Sequence, residues 1–366
     1  MKRLKPFRRG FIAFLSVIFL LSAAIVSATV KLYTATAEDY ANEVESQDIA
    51  KLRARDKAIK NATKQAGVYL KSYSRSVNSE LTDDEVTAIA SNAWELVGEP
   101  KYSRTVNQIS DETTIIVWTA TVEVNVDDSE IQSWIKRDEK DKIKIISQTQ
   151  EAKKKSEENE RQIEDLREKY NRATSQVERD RIIKQMNDAD RDFLANQKFE
   201  EALKLYYAKD YNGSIKLNTE AIALKPDWSW PYNNRGLDYY NLGQYERAIQ
   251  DFDKAIQLNP NLAGAYNNRG IAYRHLGQNE RAVQDYDKAL ELMQHPFMYA
   301  NRGEAYYYLK NYMQALKDLN KSLEFELKGK DLGEVLYYRA LCYQALGETE
   351  KSQADFKKAK ELGYNG

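Results

Sequence analysis

His275, His295 and Cys342 are the chain's whole stock of histidine and cysteine. A zinc site needs three or four nitrogen or sulfur ligands, and this supply does not assemble one. A Ser-His-Asp triad would have to recruit one of two histidines that lie inside or between copies of a repeated segment. One cysteine makes no intrachain disulfide, and Cys342, between Leu341 and Tyr343 in a helical pattern, reads as a small buried apolar residue. The acids Asp83, Asp84 and Glu85 could hold calcium or serve as catalytic carboxylates. They also sit at the start of a helical stretch, where negative charge is favoured in any case. What remains is recurring arginine, aspartate and tyrosine, and the sequence itself shows what sets their spacing.

The stretch YNNRGLDYYNLGQYERAIQDFDKAIQLNP from Tyr232 is almost repeated as YNNRGIAYRHLGQNERAVQDYDKALEL from Tyr266, a stride of 34 residues. YANRGEAYYYL follows from Tyr299 and LYYRALCYQAL from Leu336. Five units result, starting near Ala195, Ser229, Ala263, Pro296 and Gly333. Position 8 is Gly236, Gly270 and Gly303 in the second to fourth units, and position 20 is small throughout, from Ser214 to Ser352. Position 27 is small as well (Ala221, Ala255, Ala289, Ser322, Ala359), and aromatic residues recur at positions 4, 11 and 24. A period of this length means stacked supersecondary units that bury their faces only against one another.

These positions resemble the tetratricopeptide repeat over about 170 residues. The resemblance implies two short helices per unit and a superhelix with a concave inner groove. Arg235, Arg269, Arg302 and Arg339 at position 7, and Asp251, Asp285, Asp318 and Asp355 at position 23, recur in every unit after the first. Recurrence of this kind points to a structural ladder. Positions 2, 5, 9 and 12 change from unit to unit and share one helical face, which lines the groove in the resembling family. Trp230, Asn233, Tyr240, Asn267, Arg274, Glu304, Tyr307 and Tyr337 on that face are the candidate partner-binding residues. Arg274 is the single basic residue among the sixteen, so the lysine-rich clamp that some members use for a peptide's terminal carboxylate is missing. The first unit departs from the pattern and reads as a cap that receives the preceding helix.

MKRLKPFRRG and the 20 uncharged, mostly apolar residues after it read as a signal peptide or signal anchor. Residues 11–30 would form the anchor; cleavage after Ala37 is the preferred alternative, with Ala28 as a second small-x-small site. Either way the basic head stays in the cytoplasm and the remainder is exported. Residues 1–37 hold six basic residues and no acid, leaving 49 basic against 56 acidic in the rest. That balance lacks the basic footprint of a nucleic-acid binder.

Residues 38–130 read as a small α+β module of two helices and a hairpin, similar in element order to small exported modules of bacterial envelope lipoproteins and flagellar envelope proteins. Thr82 and Glu85 have capping-box spacing, Trp94 continues the second helix's apolar stripe, and Gly98 and Pro100 end it. Residues 131–194 are charge-rich without proline or glycine, and Ile163, Leu166, Tyr170, Ala173 and Val177 form a heptad seam. A long helix, a helical hairpin or a dimeric coiled-coil stalk would each satisfy it. The expected fold is mainly α: an α+β module, a long helical segment, and a five-unit tetratricopeptide-like solenoid over 195–366. The expected function is an exported, non-enzymatic scaffold without a cofactor, binding an extended segment of another envelope or extracellular protein, with self-association through the stalk as a further option. A structural envelope component is one alternative, and an enzyme using carboxylates within 38–130 is another.

Overall fold

The structure is a computed structural model that describes residues 30–41, 45–76, 81–92, 94–110, 113–127, 134 and 139–366. The basic head and nearly all of the apolar run lie outside the described residues.

The N-terminal module is built on strand β4 (Thr113–Asp127), which pairs antiparallel with β1 (Val30–Ala41) on one side. On its other side β4 pairs with β3 (Lys101–Ser110) and the short β2 (Trp94–Leu96). Even-numbered residues of β4 face helix α1 (Gln47–Ser76), whose stripe of Ala54, Ala58 and Ala62 lets the helix sit close on Ala120, Val122 and Val124. Helix α2 (Asp83–Asn92) is capped reciprocally: the Thr82 N–H donates to Glu85 Oε2 at 2.8 Å and the Glu85 N–H to Thr82 Oγ1 at 3.2 Å.

Two segments take a structure that the sequence reading does not give them. Residues 30–37, read as the end of a leader, are the first eight residues of β1, paired with Asp127 back to Ala120. Helix α2 stops at Asn92, and Trp94 opens β2 opposite Val126. In both places a strand with one central partner beats the local pattern, because β4 offers hydrogen bonds on both edges.

Helices α3 (Glu139–Arg172) and α4 (Gln176–Tyr207) fold back on each other, with Ser175 accepting from the Glu178 N–H at 3.3 Å to start α4. The heptad seam is spent inside this hairpin: Ile163, Leu166 and Ala173 pack on Ile182, Met186 and Ala189. Val177, read as the seam's last member, is 81% exposed. With its apolar residues facing a partner in the same chain, the seam has no stripe left for a dimeric stalk.

A buried ion cluster joins module to hairpin. Arg53 of α1 reaches Asp39 of β1 (2.9 Å), Glu45 (2.8 Å) and Asp190 of α4 (2.6 Å). Arg167 of α3 reaches Asp39 and Glu45, each at 3.0 Å. All five side chains are buried. Burial pushes the Asp190 carboxyl upward, opposed by Arg53.

From Ala195 the chain is a stack of helix pairs: the end of α4 with α5 (Tyr211–Leu224), α6 (Ser229–Asn241) with α7 (Tyr245–Leu258), and α8 (Ala263–His275) with α9 (Asn279–Leu292). Then come α10 (Pro296–Tyr308) with α11 (Tyr312–Leu323), and α12 (Gly329–Ala345) with α13 (Thr349–Glu361). The position-8 glycines face the position-24 side chain: a Cβ on Gly236 would lie 2.7 Å from the Phe252 ring, and one on Gly270 2.7 Å from the Tyr286 ring.

The Arg–Asp ladder is present. Arg235, Arg269, Arg302 and Arg339 each grip the position-23 aspartate of their own unit with two hydrogen bonds of 2.6–2.8 Å. Their remaining Nη1 reaches back to position 25 of the unit before: Thr219, Asp253, Asp287 and Asn320 in turn. One arginine therefore ties two helices of its own unit and one of its neighbour, a bidentate geometry that lysine cannot supply.

Candidate partner-binding groove

The first helices of the units line the inner face, and α3 already covers its N-terminal end. Ala152 of α3 packs in one cluster with Phe199, Leu203 and Trp228, with Trp230 against it. The Asn196 side chain donates to the Ala152 carbonyl at 3.3 Å. Gln148 of α3 accepts from the Tyr207 hydroxyl and donates to Asn234 Oδ1 at 2.7 Å. The first unit thus receives the long helix, as its departures from the pattern foretell.

From Gln148 an amide ladder runs along the groove. Asn268 donates to Asn233 Oδ1 at 3.1 Å, and Asn301 to Asn267 Oδ1 at 2.9 Å. Position 6 of one unit thereby binds position 5 of the unit before it. Asn233 is 4% exposed, so this candidate and Trp230, against the α3 cluster, serve the scaffold. Asn267 is half-buried with its carbonyl oxygen engaged by Asn301. Sequence reasoning places all three in the binding set because they lie on the inner face; the recurring asparagine at position 6 is the signal that would separate the two amides from it.

Arg274 and Glu304 neutralise one another across units at 2.7 Å, with Glu304 buried. The groove's single cation is therefore not held for a partner's carboxylate. Tyr240, half-buried, meets His275 through its hydroxyl and Nε2 at 2.9 Å and lies edge-on to that ring. Tyr307 stands among Tyr308, Tyr312 and Tyr338 with ring centroids 5.4–6.0 Å away. Tyr337 is flanked by Tyr338, Phe356 and Tyr364. Burial raises the hydroxyl pKa of Tyr240 and Tyr307, and of Tyr338 together with the nearby Glu304, so these phenols stay neutral donors. The open inner face carries Tyr240 at the end of α6, Asn267 and Ile271 on α8, Tyr307 on α10 and Tyr337 on α12, and its aromatic rings suit it to stacking and single hydrogen bonds. Cys342 is fully buried, and burial pushes its thiol up to about 12, so it is an inert packing residue. Among the described residues no cluster of histidine, cysteine and acids could hold a metal ion.

Models of the tetratricopeptide repeat match residues 229–262, 263–295 and 334–362. These are tetratricopeptide repeats. Solved structures similar in fold include MamA from Desulfovibrio magneticus RS-1, 17% identical with a TM-score of 0.42 over 46% of this chain and 94% of that one. A thermophilic tetratricopeptide repeat protein of Thermus thermophilus is 20% identical with a TM-score of 0.39, over 46% and 91% of the two chains. YrrB, described as having an unusual peptide-binding site, is 17% identical with a TM-score of 0.39, over 45% and 84%. No curated protein sequence matches the chain. Stacked tetratricopeptide repeats make the C-terminal half a protein-interaction scaffold.

Proposed function

We propose that the protein is an exported, non-enzymatic scaffold that holds an extended segment of another envelope or extracellular protein along the inner face of its later repeats. The observation that carries this reading is the inner face bearing Tyr240 of α6, Tyr307 of α10 and Tyr337 of α12, left open where α3 has closed the first unit. The seam that would build a stalked assembly is buried within the hairpin, so nothing favours the structural-component alternative. Binding energy on such a surface concentrates in a few aromatics. Replacing Tyr240 and Tyr307 together by alanine is expected to weaken capture of a peptide selected on the wild-type protein at least tenfold, about 1.4 kcal/mol. Hydrogen exchange with the peptide bound should protect the inner helices α6, α8, α10 and α12. Protection confined to the outer helices would overturn the groove reading.

Export rests on the basic head and the apolar run, and the strand β1 bears on where a cut could fall. Cleavage after Ala37 would strip eight residues that pair with β4, whereas Ala28 precedes Val30 and leaves the strand whole. Among the described residues no helix is long and apolar enough to cross a membrane. N-terminal sequencing of protein from a membrane-free envelope fraction is expected to begin at Thr29. An intact N-terminus in the membrane fraction would make residues 11–30 an anchor, and soluble cytoplasmic protein would sink the export reading.

A further inference from the structure

A cleft of about 820 Å³ lies between α1, α2 and β2 of the module and α3 and α4 of the hairpin, and none of its lining residues belongs to α6, α8, α10 or α12. Its size falls within the range of sites that enclose small ligands. The α1 wall recurs at helical spacing from Asp56 to Lys71, a length of about 22 Å at 1.5 Å per residue. Ile59, Val68, Val86, Ala90 and Leu203 give the cleft an apolar side, and Val68 is 74% exposed although it sits on the helix face turned toward the hairpin.

Five lysines line this cleft, and they divide sharply. Lys60 is paired with Glu160 at 2.7 Å and Lys71 with Asp83. Lys64 of α1, Lys153 of α3 and Lys204 of α4 have no acid within ion-pair distance among the described residues; Lys204 lies 3.0 Å over the Trp94 ring. Of the acids, Asp56 is held by Gln197 at 3.0 Å and Arg55 at 3.7 Å, leaving Glu157 and Glu200. We propose that this cleft is a second ligand site, and that it takes a molecule with an apolar body and one carboxylate head, of the fatty-acid kind. The head meets Lys204, Lys64 and Lys153 line the rest of the cleft, and the body lies on the Ile59–Val68 side.

Binding to this site is linked to protons. The groups facing Glu200 are Asp56 and Lys60 from α1, Glu201 and Lys204 from α4, with Arg55 acting through Asp56 and Lys204, and Glu160 of α3 through Lys60. Burial, then Asp56, pushes the Glu200 carboxyl up to about 7, and burial brings the Lys204 ammonium down to about 8. Lowering the pH adds a proton to Glu200 and keeps the one on Lys204. An anion therefore binds better on the acid side.

The test is calorimetric titration of the full chain with dodecanoate, dodecylammonium, dodecanol and inorganic phosphate at pH 6 and pH 8. Saturable one-to-one binding of dodecanoate is expected, at least fivefold tighter at pH 6, with hydrogen-exchange protection over 59–71 and 149–160. Lys204→Met should weaken it at least tenfold, and Lys204→Arg should restore most of the loss. Equal binding of dodecylammonium or dodecanol, phosphate binding as tight as dodecanoate, protection elsewhere in the chain, or an unchanged affinity in a folded Lys204→Met variant would each overturn the proposal.

Discussion

Replacing Arg53 by methionine is expected to cost the protein about 3–5 kcal/mol, the usual consequence of removing one partner from a buried ion cluster. Arg53 is the hub of three contacts, to Asp39, Glu45 and Asp190, within a group that water barely reaches. Without it, Asp39 and Glu45 keep Arg167, but Asp190 loses the guanidinium at 2.6 Å that offsets its burial. The cluster gathers groups from β1, α1, α3 and α4, so the loss falls on the junction between module and hairpin. Chemical denaturation of the variant should split into two transitions, the module leaving first and the repeats later. Asp190→Asn should cost clearly less, because it removes a charge that burial already disfavours. A single transition at the wild-type midpoint for Arg53→Met would show that the cluster does not hold the junction.

Gly270→Leu is the second large effect. The first added atom, the Cβ, would already stand 2.7 Å from the ring of Tyr286, which is fully buried and has nowhere to move. Overpacking of this kind costs about 1–3 kcal/mol in a core that can partly adjust; here the flanking Arg269–Asp285 pair, bonded at 2.6 and 2.8 Å, resists adjustment. Because each unit leans on its neighbours, the damage spreads along the stack. Gly264 supplies the control within the same helix: a Cβ there meets nothing within 4 Å, so Gly264→Ala should leave the midpoint near that of the wild type. Overlapping urea curves for Gly270→Leu and the parent would remove the glycine–tyrosine contact from the account of repeat packing.

The repeats were legible because they state the same packing problem several times in one chain. Glycine at 8, small residues at 20 and 27, and the arginine and aspartate at 7 and 23 all recur, and the contacts recur with them. The aromatic members of the groove, Tyr240, Tyr307 and Tyr337, were legible for the same reason, as departures from a fixed frame. Asn233 and Asn267 were not, because a buried amide and a ligand-binding amide look alike until the residue opposite is known. The ion cluster left no local trace: Asp39, Glu45, Arg53, Arg167 and Asp190 are ordinary charges in five separate segments, and only the fold brings them together. Strand β1 was hidden because an alternation of small residues, Thr34-Ala35-Thr36-Ala37, satisfies a cleavage pattern and an edge strand equally. The strand forms through pairing with β4, between Thr34↔Glu123 and Ala37↔Ala120, and local periodicity carries no information about so distant a partner.

Helix α4 runs unbroken from Gln176 to Tyr207, about 48 Å at 1.5 Å per residue. Its first half is an arm of the hairpin gripped through Asp190, and its second half is the opening helix of the repeats. No hinge separates the two, so the module and the groove are geared to a single shaft. Their relative heading is fixed by helical phase, at about 100° per residue, rather than by a tether. Adding or removing one residue in the middle of α4 would swing the repeats about the hairpin by that same angle.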